Sequence, residues 1–155
     1  MPLLSPEINI LEKICTKVSK IIIRDFGEIE KLQVSKKGPG DFVTKTDKKV
    51  ENIIIEELEK ARPNYGFIAE ESGKNISDNE FNWVIDPIDG TSNFMHGIPH
   101  FAISIALEKK GEVISGIICD PIKNETFYAE KGRGSYVNNR RIRVSSRKNL
   151  QEIIG

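Results

Sequence analysis

The sequence predicts an α+β fold, two long helices packed on a mainly antiparallel sheet, and three observations point to it. Apolar residues recur at helical spacing over two stretches before Pro63. Beyond Pro63 the pattern changes to short runs rich in Ile, Val and aromatics, separated by turn residues. Helices followed by an antiparallel meander make a layered architecture. With 155 residues, 38% hydrophobic and 30% charged, the chain can close one core and bury roughly 70% of its unfolded surface.

The first helix starts at Ser5-Pro6-Glu7, where a capping serine, a first-turn proline and an acid suit the positive end of the helix dipole. Ile8, Leu11, Ile14, Cys15, Val18, Ile21 and Ile22 form its stripe, and Gly27 reads as an end or a kink. Lys36-Lys37-Gly38-Pro39-Gly40 reads as a basic, flexible loop. A second helix is expected from about Thr44 to Arg62, with Val50, Ile53, Ile54, Leu58 and Ala61 inward and Pro63 as the stop. Strands are expected at 66–69, 82–85, 101–109, 112–120, 125–130 and 134–137, with hairpin turns at 109–111 and 120–124. The domain spans 1–146, and 147–155 reads as the start of a linker to a further C-terminal half.

Several classes are excluded or disfavoured. No apolar run approaches the ~18–20 residues of a membrane span, and Glu7 and Glu12 follow Met1 too closely for a secretory apolar region. Cys15 and Cys119 fit no metal or redox spacing and read as two reduced, buried thiols. A cytoplasmic location is therefore expected. The net charge of zero hides an asymmetry: residues 1–130 carry 16 basic and 22 acidic residues, a balance of −6, and residues 131–155 carry 7 and 1, a balance of +6. The basic stretch is either a solvated hairpin face or a nucleic-acid contact.

The chemistry concentrates in Trp83-Val84-Ile85-Asp86-Pro87-Ile88-Asp89-Gly90-Thr91. An apolar strand runs into two carboxylates three residues apart, with a proline between them that favours a rigid turn. Two carboxylates held together repel unless a cation sits between them, and a hard ion such as Mg²⁺ suits all-oxygen ligands. Gly90-Thr91-Ser92, opening a short helix, would offer N–H groups to an anion. The same residues also make an ordinary turn with capping aspartates. Glu70-Glu71 ends another apolar strand and reads either as a solvated end or as further ligands. Thr44 and Asp47 fit a capping box, which gives Asp47 a structural alternative. His96 and His100, four apart, lack the further ligands of a zinc site.

Taken in order, DFVTKTD, FIAEESG and WVIDPIDGTSNFMHGIPHFAISIAL resemble the inositol monophosphatase family, lithium-sensitive Mg²⁺-dependent phosphomonoesterases related to fructose-bisphosphatases and phosphoadenosine phosphatases. The resemblance runs from the first helix to about Ser146 and implies the layered sandwich of that group. It implies Glu70, Asp86, Asp89 and the Ile88 carbonyl as ligands of two or three Mg²⁺ ions, replaceable by Mn²⁺. Gly90, Thr91 and Asp89 would bind the substrate; Thr91 and Asp47 would orient or activate the attacking water, with Glu70 sharing the catalytic role. Lys36 would lie on a loop near the phosphate. In relatives a two-metal clamp drives the in-line displacement.

A tryptophan-aspartate-x-alanine-alanine-glycine motif found in the relatives' second half is missing here, since the only tryptophan, Trp83, precedes valine. The expectation is hydrolysis of a phosphate monoester, inositol monophosphate first, by a chain weak or inactive alone. Fructose-1,6-bisphosphate and 3′-phosphoadenosine nucleotides are the alternative substrates. A non-catalytic module binding RNA or the transcription machinery through Arg140, Arg141 and Arg143 is the alternative from another class. A homodimer is expected by resemblance.

Overall fold

The computed structural model describes residues 4–33 and 38–153. Helix α1 spans Pro6–Gln33 and helix α2 spans Pro39–Ala61. Strands follow at β1 (Gly66–Ala69), β2 (Gly73–Asn75) and β3 (Phe81–Asp89), then a short helix α3 (Thr91–Met95). The meander is β4 (Ala102–Lys109), β5 (Glu112–Asp120), β6 (Glu125–Glu130), β7 (Gly134–Val137) and β8 (Arg140–Ile142). A single 3₁₀ turn, Leu150–Glu152, closes the described residues. None of the described helices is long and apolar enough to cross a membrane.

One eight-stranded sheet runs in the order β2-β1-β3-β4-β5-β6-β7-β8. Every neighbouring pair is antiparallel except β1 and β3, which run parallel. Alternation along the strands separates two faces. Trp83, Ile85, Ile103, Ile105, Leu107, Ile117 and Tyr128 point into a core shared with Ile8, Leu11, Val18, Ile22, Val50, Ile54 and Leu58 of the helices. Each fully buried aliphatic side chain contributes about 1.5–3 kcal/mol. On the other face the register aligns Val84, Ala106, Gly116 and Ala129 at partly exposed positions, with exposed Ser135 beyond them.

Three local expectations are corrected. Gly27 neither ends nor interrupts α1, because Ile29 beyond it is fully buried and holds the helix to the core. Helix α2 starts at Pro39, not near Thr44: proline at the first helical position has no N–H to leave unsatisfied. Thr44 therefore lies inside the helix, where its hydroxyl donates to the Gly40 carbonyl at 2.9 Å, and no capping box forms with Asp47. The Asp86-Pro87-Ile88-Asp89 segment is strand, not turn. A register shift between Asp86 and Asp89 opposite β4 absorbs the proline, which cannot donate to the ladder.

The hairpin turns hold as read. Lys110 and Gly111 both take positive φ, 52° and 79°, as a two-residue primed turn requires. The Asp120 carboxylate caps the next turn by accepting the Ile122 and Lys123 N–H groups at 3.0 and 2.9 Å. Cys15 on α1 and Cys119 on β5 are free and buried. Their thiols meet across the helix–sheet layer, and hydrogen bonding to Cys119 together with burial pushes the Cys15 thiol up.

Candidate active site

Glu70, Asp86 and Asp89 leave the sheet at one end. Strands β1 and β3 are parallel neighbours with Ala69 paired to Ile85, so Glu70 and Asp86 follow at the same carboxyl edge. Ligands of sheets with parallel strands collect at such edges. The bulge in β3 buries Pro87 and Ile88 (1% exposed) beneath the site, leaves Asp86 half-buried and brings Asp89 to the surface. Asp47 comes from the buried face of α2 and is 4% exposed.

Helix α3 begins where β3 ends. Gly90 turns the chain at φ 94°, and a Cβ there would meet the His100 carbonyl at 3.1 Å and Phe101 Cβ at 3.3 Å, so only glycine fits without strain. Thr91 is then the first residue of α3, half-buried. Phe94 anchors α3: it is fully buried, 4.9 Å from the Phe101 ring and 5.5 Å from Phe26 of α1. Asn93 Nδ2 donates to the His100 carbonyl at 2.8 Å and closes the loop after α3.

The acids feel one another. Asp47 is pushed up to about 7, first by burial, then by Glu70, Glu71, Asp86 and Glu51. Asp86 is pushed up to about 6, by burial first, then by Glu70 and Asp89, while the Ile88 N–H opposes the rise. Asp47 Oδ1 and Asp86 Oδ1 are both buried with no hydrogen-bond partner. Among the described residues, no three acid, histidine or cysteine side chains close into a finished coordination cage. The donor set is all oxygen, it is negative, and it holds two bare buried carboxylate oxygens, which fits a hard divalent cation.

The structure thus brings together Asp47, Glu70 and Asp86, with Asp89, Gly90 and Thr91 following directly on β3. Lys36 lies outside the described residues. The two histidines diverge: His96 Nδ1 donates to the Ser92 carbonyl at 2.7 Å, and His100 Nδ1 lies 3.5 Å from Lys123 Nζ. One residue escaped the sequence reading. Glu51, fully buried on α2, accepts from the Glu71 N–H at 2.9 Å and from the Ser72 N–H and hydroxyl at 2.7 and 2.5 Å. The signal was present, because Glu51 occupies the buried stripe of α2 with Asp47, Val50, Ile54 and Leu58.

A two-layer fold with acids gathered at the carboxyl edge of parallel strands and a glycine-led helix beside them defines a class of anion- and cation-handling sites. The inositol monophosphatase family profile matches residues 3–155, and the chain belongs to that family. It is 49% identical over 149 residues to the inositol-1-monophosphatase of Rhizobium meliloti, covering 95% of this chain and 56% of that protein. It is 42% identical over 147 residues to Vibrio cholerae Nus factor SuhB, covering 94% and 55%. Among solved structures, native SuhB from Bartonella henselae superimposes with a TM-score of 0.83 at 48% identity over 94% of this chain and 57% of that one. The Thermotoga maritima IMPase does so at 0.77 and 36% identity over 92% and 55%. The chain thus spans just over half the length of the relatives it matches.

Proposed function

We propose that the chain carries the water-activating and phosphate-holding part of a Mg²⁺-dependent phosphate-monoester hydrolase, with inositol monophosphate as the first substrate to test. The observation that carries this reading is the pair of bare, buried carboxylate oxygens, Asp47 Oδ1 and Asp86 Oδ1, on different elements of one acidic cluster. A buried polar group without a partner costs about 1–3 kcal/mol, and more when charged. Family membership and the names of the relatives support the same reading.

Glu70, Asp86, Asp89 and the Ile88 carbonyl would hold the cation, and Mn²⁺ would substitute for Mg²⁺. When bound, the cation supplies positive charge that acidifies water and neutralises phosphate oxygens. Gly90 and Thr91 would hold the phosphate through backbone N–H and hydroxyl groups, and Thr91 would orient the attacking water. Asp47, whose Oδ1 is buried in the cluster without a hydrogen-bond partner, would take the proton from that water as a general base. Burial of Asp47 beneath the edge keeps bulk water from that carboxylate.

Calorimetric titration of Mn²⁺ into the folded chain tests this. Saturable binding that Asp89→Asn weakens at least about tenfold is expected. A folded chain that binds none, or an Asp89→Asn chain that binds as wild type, refutes the assignment. A second reading is favoured by the sheet's far edge, where exposed Arg140 and Arg141 on β8 and Arg143 and Arg147 beyond it have no acidic partner among the described residues. This edge would receive the phosphate backbone of RNA.

A further inference from the structure

We infer that Glu51 is a positioning residue for Glu70, tying the end of β1 to α2 so that Glu70 and Asp47 meet the same cation-bearing cluster. The inference rests on the proposed role of Glu70. Glu51 is the most deeply buried acid among the described residues, at 0% exposure. Among the described residues its carboxylate is satisfied by one two-residue segment: Oε2 accepts the Glu71 N–H, and Oε1 accepts the Ser72 N–H and hydroxyl. A buried carboxylate is strongly unfavourable unless hydrogen-bonded. All three donors belong to the two residues that follow Glu70.

The consequence for Glu70 is geometric. On its N-terminal side the backbone is held by the ladder, with Ala69 paired to both Ile85 and Gly73. On its C-terminal side it is held by Glu51. An exposed side chain that would otherwise ride on a surface turn is therefore fixed at both ends of its backbone. Glu51 also follows Asp47 by one helical turn, which places the two acids on the same face of α2. One helix thus supplies the Asp47 carboxylate directly and sets the backbone that presents Glu70. A glutamine at 51 would turn an N–H₂ group toward N–H donors and lose at least one of the three bonds.

A double-mutant cycle read by Mn²⁺ calorimetry tests this on the full chain, with wild type, Glu51→Gln, Glu70→Gln and the double variant. Glu51→Gln should weaken Mn²⁺ binding about tenfold or more, and Glu51→Asp should recover part of that loss. In the Glu70→Gln background the Glu51→Gln change should add nothing, because it acts through the residue already removed. Amide exchange should accelerate at Glu71 and Ser72 while the β4 amides keep their protection. Wild-type affinity in Glu51→Gln overturns the inference, and so does an equal loss in both backgrounds, which marks a general structural role. A Glu70→Gln chain with wild-type affinity instead removes the underlying assignment of Glu70. Should Glu51→Gln not fold, Ser72→Ala removes a single bond: roughly threefold weaker binding supports the inference, and unchanged binding overturns it.

Discussion

Asp47→Asn should make the metal-free protein more stable at high pH and leave it unchanged at low pH. Folding raises the Asp47 carboxyl from 3.8 to about 7. Between those values the folded state keeps a proton that the unfolded chain has released, so stability falls as pH rises through the window. A rise of about three units corresponds to about 4 kcal/mol at full strength. Of the acids that raise it, Glu70 and Glu71 are exposed and screened by solvent, which lowers the figure to about 2 kcal/mol. Asparagine keeps the shape and cannot ionise. In EDTA, thermal melts of wild type and Asp47→Asn should coincide near pH 3, below the unfolded value, and be fully separated above pH 7. The variant should melt about 4–8 °C higher there, at about 2–4 °C per kcal/mol for a domain of this size. A difference that stays flat from pH 3 to 8, or a variant less stable at pH 8, refutes the reasoning.

Two further outcomes follow from the geometry. Gly90→Ala places a Cβ 3.1 Å from the His100 carbonyl at φ 94°; it should cost about 1–3 kcal/mol, read as a lower denaturant midpoint, and an unchanged midpoint rejects the strained turn. RNA binding at the β8 edge should weaken steeply with salt through counterion release. Changing Arg140, Arg141 and Arg143 to alanine should abolish it and leave Mn²⁺ affinity intact; salt-independent binding, or binding that survives the triple change, rejects the second reading.

The layered fold was legible because each long element carries an unambiguous period. Ile8, Leu11, Ile14 and Val18 repeat at helical spacing and are all buried. Ile103, Ile105 and Leu107 alternate and line one face of β4. What escaped was set by tertiary context. Strand β2 (Gly73–Asn75) is three exposed residues on an edge and carries no alternation. Strand β8 (Arg140–Ile142) is similarly short and basic, and exists because β7 offers it a ladder. Pro39-Gly40 read as loop chemistry, yet proline starts a helix as readily as it breaks one. At the site, paired acids at the ends of apolar strands were visible as a pattern. The meeting of Cys15 with Cys119, 104 positions apart, had no local signature.

Asp47 and Glu51 show why burial alone does not identify a functional acid. Both lie on the inner face of α2, one turn apart, at 4% and 0% exposure. Glu51 is met by three donors from the segment after β1, so its charge is accounted for within the fold. Asp47 Oδ1 is met by none, and its carboxyl is pushed up to about 7 by burial and by the surrounding acids. The same helix and the same depth thus give one carboxylate a structural environment and the other an unsatisfied one. Stability alone would favour replacing the second with an amide, and the expected gain of Asp47→Asn above pH 7 measures that preference. An acid placed where the folded state disfavours its charge calls for a compensating positive charge, which the proposed cation at this edge of the sheet would supply.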